Sequence, residues 1–347
     1  MDQALISNYI LPFLLSALLS VILVYFVKRL SIKFKAVDLP DGERHFHAKP
    51  TPLWGGLAVY AAFAISAIIF YQAGLLSDGR LTGRMFWSLL VAGLILIIGG
   101  MLDDKYDFKP QQSIICPLIA SSLMVWSGVA VNYVSNPLGG LIVFKGTVIA
   151  SIVAFLWLMG MMYTTKLLDG LDGLVSGVSF IGAVILFLVS LFWDVPLSGT
   201  SILCLILAGT SLGFLFWNFN PAKIFLGEGG SVFLGFMLGL LAIISGAKIA
   251  TALLIMGLPI LDVVWIIYRR LFKEKRSPFV GGREHLHFRL LDYGFTQRQA
   301  VLFLYFLTTI FGSLALLSST IGKIIALGFL AIFMLLLAWR LNTLNKT

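Results

Sequence analysis

Apolar residues run through this chain in long blocks separated by short polar segments. Eleven blocks, near residues 8–27, 53–71, 85–102, 113–131, 147–162, 175–193, 201–217, 231–246, 249–268, 300–318 and 322–339, approach the roughly 20 residues that carry a helix across a bilayer. In lipid such a block must be helical, because every backbone amide then finds its partner inside the segment. The pattern predicts an all-α polytopic membrane protein of about eleven transmembrane helices. The first block has no basic flank before it and no small-residue cleavage pattern after it, and Lys28, Arg29, Lys33 and Lys35 follow, so it reads as a retained span. No Pro/Ser-rich linker, low-complexity tract or repeat interrupts the blocks, and residues 1–347 read as a single membrane domain.

Composition agrees: 59% hydrophobic and 12% charged residues in 347 exclude a soluble core. Of the 25 Lys and Arg, 20 fall after odd-numbered blocks or at the C-terminus and 5 in the remaining segments. Short basic loops stay in the cytoplasm, which puts the N-terminus outside and the C-terminus inside. The net charge of +9 is then a topology signal and an attraction for anionic headgroups, about 1 kcal/mol per basic residue near the surface. It does not indicate nucleic acid. Cys116 and Cys204 both lie in apolar blocks, so neither a disulfide nor a cysteine metal cluster is expected.

Carboxylates are just as one-sided: of 16, only Asp2, Asp78 and Asp194 fall outside. Asp103, Asp104 and Asp107 crowd the membrane edge in MLDDKYDFKP and need a cation, with Lys105 and Lys109 as the local alternative. In KLLDGLDGL, Asp169 and Asp172 stand three apart, each followed by glycine; a helix there would put both on one face. Carboxylates on facing helices can share Mg²⁺, which prefers hard oxygens and completes its shell with water and substrate phosphate. In NFNPAKIFLGEGGS, Glu228 precedes the eighth block among glycines, where helix N-terminal amides favour anions. GGREHLHFRL offers Arg283, His285, His287 and Arg289 as donors to phosphate and sugar oxygens. Zinc on the His pair, with Glu284 as third ligand, is the weaker reading. Lys49 and Thr51, in HAKPTPLWGG, gain interest only beside the other segments.

These segments, in this order and with PILD at Pro259 to Asp262, resemble the polyprenyl-phosphate N-acetylhexosamine-1-phosphate transferases over about residues 38–300. They are closer to the undecaprenyl-phosphate N-acetylglucosamine-1-phosphate branch than to the phospho-N-acetylmuramoyl-pentapeptide branch. The resemblance implies a plasma-membrane enzyme with a cytoplasm-facing site. It would join an N-acetylhexosamine phosphate from a UDP-sugar to undecaprenyl or another polyprenyl phosphate and release UMP, as the first membrane step of cell-envelope glycan synthesis. Mg²⁺ is the implied cofactor, with Mn²⁺ as a substitute. The expected metal set is Asp103, Asp104, Asp172 and Glu228, and the expected catalytic set is Asp103, Asp104, Asp169 and Asp172.

Phe225, with Asn218 and Lys223, resembles the family's uridine-binding edge; Lys49, Thr51, Lys166, Arg283, His285, His287 and Arg289 complete the expected substrate contacts. Partners are the UDP-N-acetylhexosamine, the lipid phosphate and the membrane, with a homodimer left open. The chain departs from the family pattern at Tyr163 and Lys166 (Asn), Glu228 and Gly282 (Asp) and Phe288 (His). Lys166, one turn before Asp169, would pair with it or contact phosphate. An inactive lipid- or sugar-nucleotide-binding regulator is the rival class. The expected reaction is one-step attack by the lipid phosphate on the UDP-sugar; attack by Asp103 or Asp104 to form an aspartyl phosphate is the competing route, and both carboxylates fit either scheme.

Overall fold

The computed structural model describes residues 6–38, 50–76, 81–136, 140–144, 146–193, 198–246, 249–275 and 284–344. After a single π turn at Ile6–Ile10, the helices are α1 Leu11–Lys33, α2 Gly55–Gln72, α3 Gly83–Tyr106, α4 Pro110–Ser113, α5 Ile115–Trp126, α6 Thr147–Leu168, α7 Leu174–Trp193, α8 Gly199–Asn218, α9 Gly227–Ile244, α10 Ile249–Ile255, α11 Gly257–Tyr268, α12 Leu286–Asp292, α13 Gln297–Leu317 and α14 Thr320–Leu344. A second π turn, Arg269–Lys273, follows α11. Two short antiparallel pairs accompany them: β1 Val37–Asp38 with β2 Thr51–Pro52, and β3 Tyr133–Ser135 with β4 Leu141–Val143. Polar caps start several helices, as at Ser198, whose hydroxyl accepts the Ser201 N–H, and Thr296, which forms a capping box with Gln299.

Among the described residues nine helices are long and apolar enough to cross a membrane, and a bent pair makes a tenth. The protein is therefore an all-α, multi-pass membrane protein. Two expected spans differ from the sequence reading, both because of proline. The 249–268 block is two helices, α10 and α11, bent by 78°; Pro259 has no N–H to give the Ile255 carbonyl, which a continuous helix would require. Within the 113–131 block the helix is the 12-residue α5, separated from the preceding turn α4 at Ile114; Pro117 likewise cannot bond Ser113, and Gly128, at φ +109°, follows soon after the helix ends.

The centre of the bundle is α9, buried along nearly its whole length and packed on α2, α3, α6 and α7. Lipid gives no hydrophobic force between helices, so close packing must come from small residues. A Cβ built on Gly100 of α3 would lie 2.0 Å from the Gly229 nitrogen of α9. The backbones touch there, one turn from the carboxylates that end α3. Gly100→Ala is expected to cost about 1–3 kcal/mol by overpacking and to lower the thermal midpoint in detergent, whereas Ala at Gly160, which has open space around it, serves as the neutral control. Equal midpoints would refute the close crossing.

Candidate active site

Asp103 and Asp104 occupy the last turn of α3, which stops at Asp107 in a left-handed conformation. Asp103 accepts the Phe108 N–H on Oδ1 at 2.9 Å and the Ser113 hydroxyl on Oδ2. Asp104 accepts the Glu228 N–H at 2.9 Å, meeting one of the unpaired amides that begin α9. Gly227, at φ +76°, leaves room for this: a Cβ there would stand 2.4 Å from Asp104 Oδ2. The two carboxylates thus turn to helix ends and a hydroxyl, while Lys105 and Lys109 are exposed.

Lys166, in the last turn of α6, reaches across to α9. Its Nζ contacts Glu228 Oε1 and donates to Ser113 Oγ at 3.0 Å, so Glu228, Lys166, Ser113 and Asp103 form one chain of polar contacts. The expected Lys166–Asp169 pairing is replaced by this one. Two positions where the chain departs from the pattern it resembles, 166 and 228, are bonded to each other, and the longer reach of Lys and of Glu closes the gap.

The DGLDG segment is not helical: α6 ends at Leu168, Asp169 caps it with ψ 54°, and residues 169–173 turn into α7. Asp169 and Asp172 therefore do not share a helix face. Asp169 is exposed at this turn. The low-dielectric surroundings, and then the charges of Glu228, Asp104 and Asp172, push its carboxyl up to about 8, against a hydrogen bond from Ser231. Asp172 accepts the Asn220 side-chain N–H at 2.9 Å and the Ala222 N–H at 3.0 Å on one oxygen, and so anchors the loop after α8.

That loop carries the expected nucleotide edge. Asn218 is buried and its amide is engaged inside the fold, taking the Gly173 N–H at 3.1 Å and the Ser176 hydroxyl at 3.0 Å and donating to the Ile224 carbonyl. It clamps α7 to the loop. Lys223 is exposed and lies over the Trp217 and Phe216 rings, at 5.4 and 5.9 Å. Phe225 is half-buried; its backbone bonds Pro52 and Gly55, which ties it to the segment beginning at the buried Thr51.

On the far side of the turn, His285 Nδ1 is 2.8 Å from Asp262 Oδ2, and the other Asp262 oxygen accepts the Leu286 N–H at 3.1 Å. His285 and His287 stack with centroids 5.6 Å apart. His287 is 2% exposed and its Nε2 has no protein partner. It lies against Gly170, where a Cβ would come within 2.2 Å of that nitrogen. Burial, then His285, drops its pKa to about 3, so it is neutral at physiological pH. It also borders a small apolar recess lined by Leu168, Leu258, Leu286 and Leu304. Arg289 is buried beside Asp262 and Glu284, its pKa lowered by burial, with one terminal nitrogen lacking a protein partner. Lys49 and Arg283 lie outside the described residues.

Sequence reasoning did not include Asp262, Ser113 or Asn220 among the site residues. Asp262 carried a signal, since a carboxylate inside an apolar span needs a partner. Among the described residues no three His, Cys, Asp or Glu side chains converge as a ready ligand set, for zinc or any other metal. The donor chemistry nonetheless suits Mg²⁺, which needs one or two carboxylates and leaves the rest to water and phosphate. Asp103 and Glu228 line a small recess together.

Comparison with known proteins adds an independent line. Residues 86–246 match the family model described as Glycosyl transferase family 4. The chain is 33% identical to a probable undecaprenyl-phosphate N-acetylglucosaminyl 1-phosphate transferase of Bacillus subtilis, over 100% of this chain and 95% of that protein. It is 34% identical to a decaprenyl-phosphate N-acetylglucosaminephosphotransferase of Mycolicibacterium smegmatis, over 84% and 78%. It is 27% identical to an undecaprenyl-phosphate alpha-N-acetylglucosaminyl 1-phosphate transferase of Yersinia pestis, over 88% and 82%.

Proposed function

We infer the activity of this chain from its kinship: it belongs to glycosyl transferase family 4, among relatives named for moving N-acetylglucosamine 1-phosphate onto polyprenyl phosphates. It transfers an N-acetylhexosamine 1-phosphate from a UDP-sugar to undecaprenyl or a related polyprenyl phosphate and releases UMP, as the membrane-committed step of envelope glycan synthesis. The observation that carries this reading is the full-length match to the Bacillus relative. The single acidic end of the bundle supports it, with Asp104 on Glu228, Glu228 on Lys166 and Asp169 beside them.

Glu228 and Asp104 would hold Mg²⁺, or Mn²⁺ in its place, with Asp103 orienting water or the acceptor phosphate. When bound, the ion supplies positive charge against two mutually repelling phosphates. Asp172 keeps the Asn220 loop, and with it Phe225, in position to stack on uracil for about 1–3 kcal/mol, by analogy with single-strand binding. Asp262 fixes the ring of His285, and His285 and Arg289 face the diphosphate and sugar. Lys49 and Arg283 add further charge. The site faces the cytoplasm from the plasma membrane. On a background with Cys116 and Cys204 replaced by Ala, cysteines at Asn132 and Asp292 are expected to label from opposite sides; labelling from one side would reverse that assignment.

The direct test is UMP release by purified protein given UDP-N-acetylglucosamine, a polyprenyl phosphate and Mg²⁺. No UMP from UDP-N-acetylglucosamine or UDP-N-acetylgalactosamine, with ligand binding intact, would identify a binding regulator instead. The carboxyl of Asp169 adds a pH expectation. Raised to about 8, it is protonated at neutral pH without cation, and a nearby Mg²⁺ favours its ionised form. Apparent Mg²⁺ affinity should therefore rise as pH approaches 8 and level off above it. Without Mg²⁺, the stability tied to the protonated carboxyl is lost as pH rises through 8. A Mg²⁺ affinity that is flat from pH 6 to 9 would contradict the assignment.

A further inference from the structure

Lys166 is the cation set among these carboxylates. Its Nζ is held by Glu228 Oε1 and by Ser113, whose hydroxyl is bonded in turn to Asp103, and it lies within electrostatic reach of Asp104. Its side chain is 27% exposed and that of Glu228 21%, so both open to the cleft yet are partly shielded from water. A divalent ion bound to Glu228 would sit on the carboxylate that already carries the ammonium on Oε1. Two cations cannot share that position without strong repulsion.

We propose that Lys166 is a resident counter-cation of the active site, a positioning residue that keeps Glu228 occupied until a divalent ion and the phosphates of the donor arrive together. The inference rests on the Mg²⁺ reading above. In the resting protein the ammonium offsets the charges of Glu228 and Asp104, and through Ser113 it fixes Asp103. When a diphosphate enters, it offers Lys166 anionic oxygens within the swing of a four-carbon stem, and Glu228 becomes free for the metal. Metal and donor binding are thereby coupled. A free divalent ion binds weakly because it must first displace an ammonium already paired.

The test is direct Mn²⁺ binding, by electron paramagnetic resonance, to detergent-purified full-length protein without nucleotide. Lys166→Met is expected to tighten Mn²⁺ binding by about tenfold or more, since a repelling charge and a competitor are removed together. Lys166→Arg, which keeps the charge, should stay within about threefold of the parent. Lys166→Gln carries the test should Lys166→Met not purify. Unchanged or weaker Mn²⁺ binding in the neutral variants, with saturable binding in the parent, would overturn the counter-cation role alone. Saturable binding in none of the proteins would instead remove the divalent-ion reading on which it rests.

Discussion

Glu228→Gln lowers turnover about 10²- to 10³-fold, the range typical of losing one electrostatic contact to a charge-rich transition state, and raising Mg²⁺ does not restore it. Glu228 stands at the start of α9, where its N–H donates to Asp104 and its carboxylate pairs with Lys166. The substitution keeps the first, which is backbone, and the size of the side chain, while removing the charge of the second. Any loss therefore reports the carboxylate and not the fold, which the thermal midpoint checks separately. Glu228→Asp keeps the charge but withdraws it by one methylene from Lys166, and should fall between parent and Gln. Near-normal turnover in Glu228→Gln, measured as UMP release at saturating donor and acceptor, would end the assignment of Glu228 to the metal.

Much of the fold was written in hydropathy. Every apolar block has a helical counterpart, and the two that differ do so where proline interrupts the backbone ladder, at Pro259 and Pro117. Those prolines were visible, but the angle of a bend depends on what packs around it. The acidic cluster at one end was legible too, because charge at a membrane edge demands partners. Its wiring was not. Asp169 and Asp172 share no helix face because the chain turns after Leu168, with Gly173 at φ +81°, which a spacing argument built on helical geometry cannot anticipate. Asn218 has a polar side chain that could serve a nucleotide, yet its oxygen accepts from Gly173 and Ser176. Lys223 follows an aromatic pair and lies on it. Each outcome depends on which neighbour is nearer in space, and one chain read without its fold does not carry that. The Lys166–Glu228 contact was signalled only by two unusual residues, 62 positions apart, whose complementary charge became meaningful once α6 and α9 were seen side by side.

Asp169→Asn is expected to reduce turnover about 10²–10⁴-fold, the scale of a carboxylate acting at the reacting groups, while wild-type protein given UDP-sugar and labelled UMP without lipid exchanges no label into UDP-sugar. Both results follow from how the carboxylates are engaged. An aspartyl-phosphate route needs a carboxylate oxygen free to attack the sugar-linked phosphorus and expel UMP. Asp103 has both oxygens accepting hydrogen bonds, and Asp104 is bonded to the Glu228 N–H with its other oxygen turned toward Gly227. Asp172 holds the Asn220 loop. Asp169 is the most exposed of the four, but its carboxyl, raised to about 8 by the protein packed around it and by Glu228, Asp104 and Asp172, is mostly protonated at neutral pH and a poor nucleophile until a cation arrives. The acceptor needs no such help. A phosphate monoester has a second pKa near 6 and is mostly dianionic at neutral pH, so its oxygen can attack the sugar-linked phosphorus directly: the new phosphorus–oxygen bond forms as the bond to UMP breaks, and UMP leaves with the electron pair. In that scheme UMP release requires the lipid phosphate, and Asp169 stabilises the charged assembly around it. Lipid-free exchange in the wild type, abolished in Asp169→Asn but kept in Asp103→Asn, would establish a covalent intermediate on Asp169 and overturn the one-step reaction; exchange lost in Asp103→Asn instead would move the nucleophile to α3.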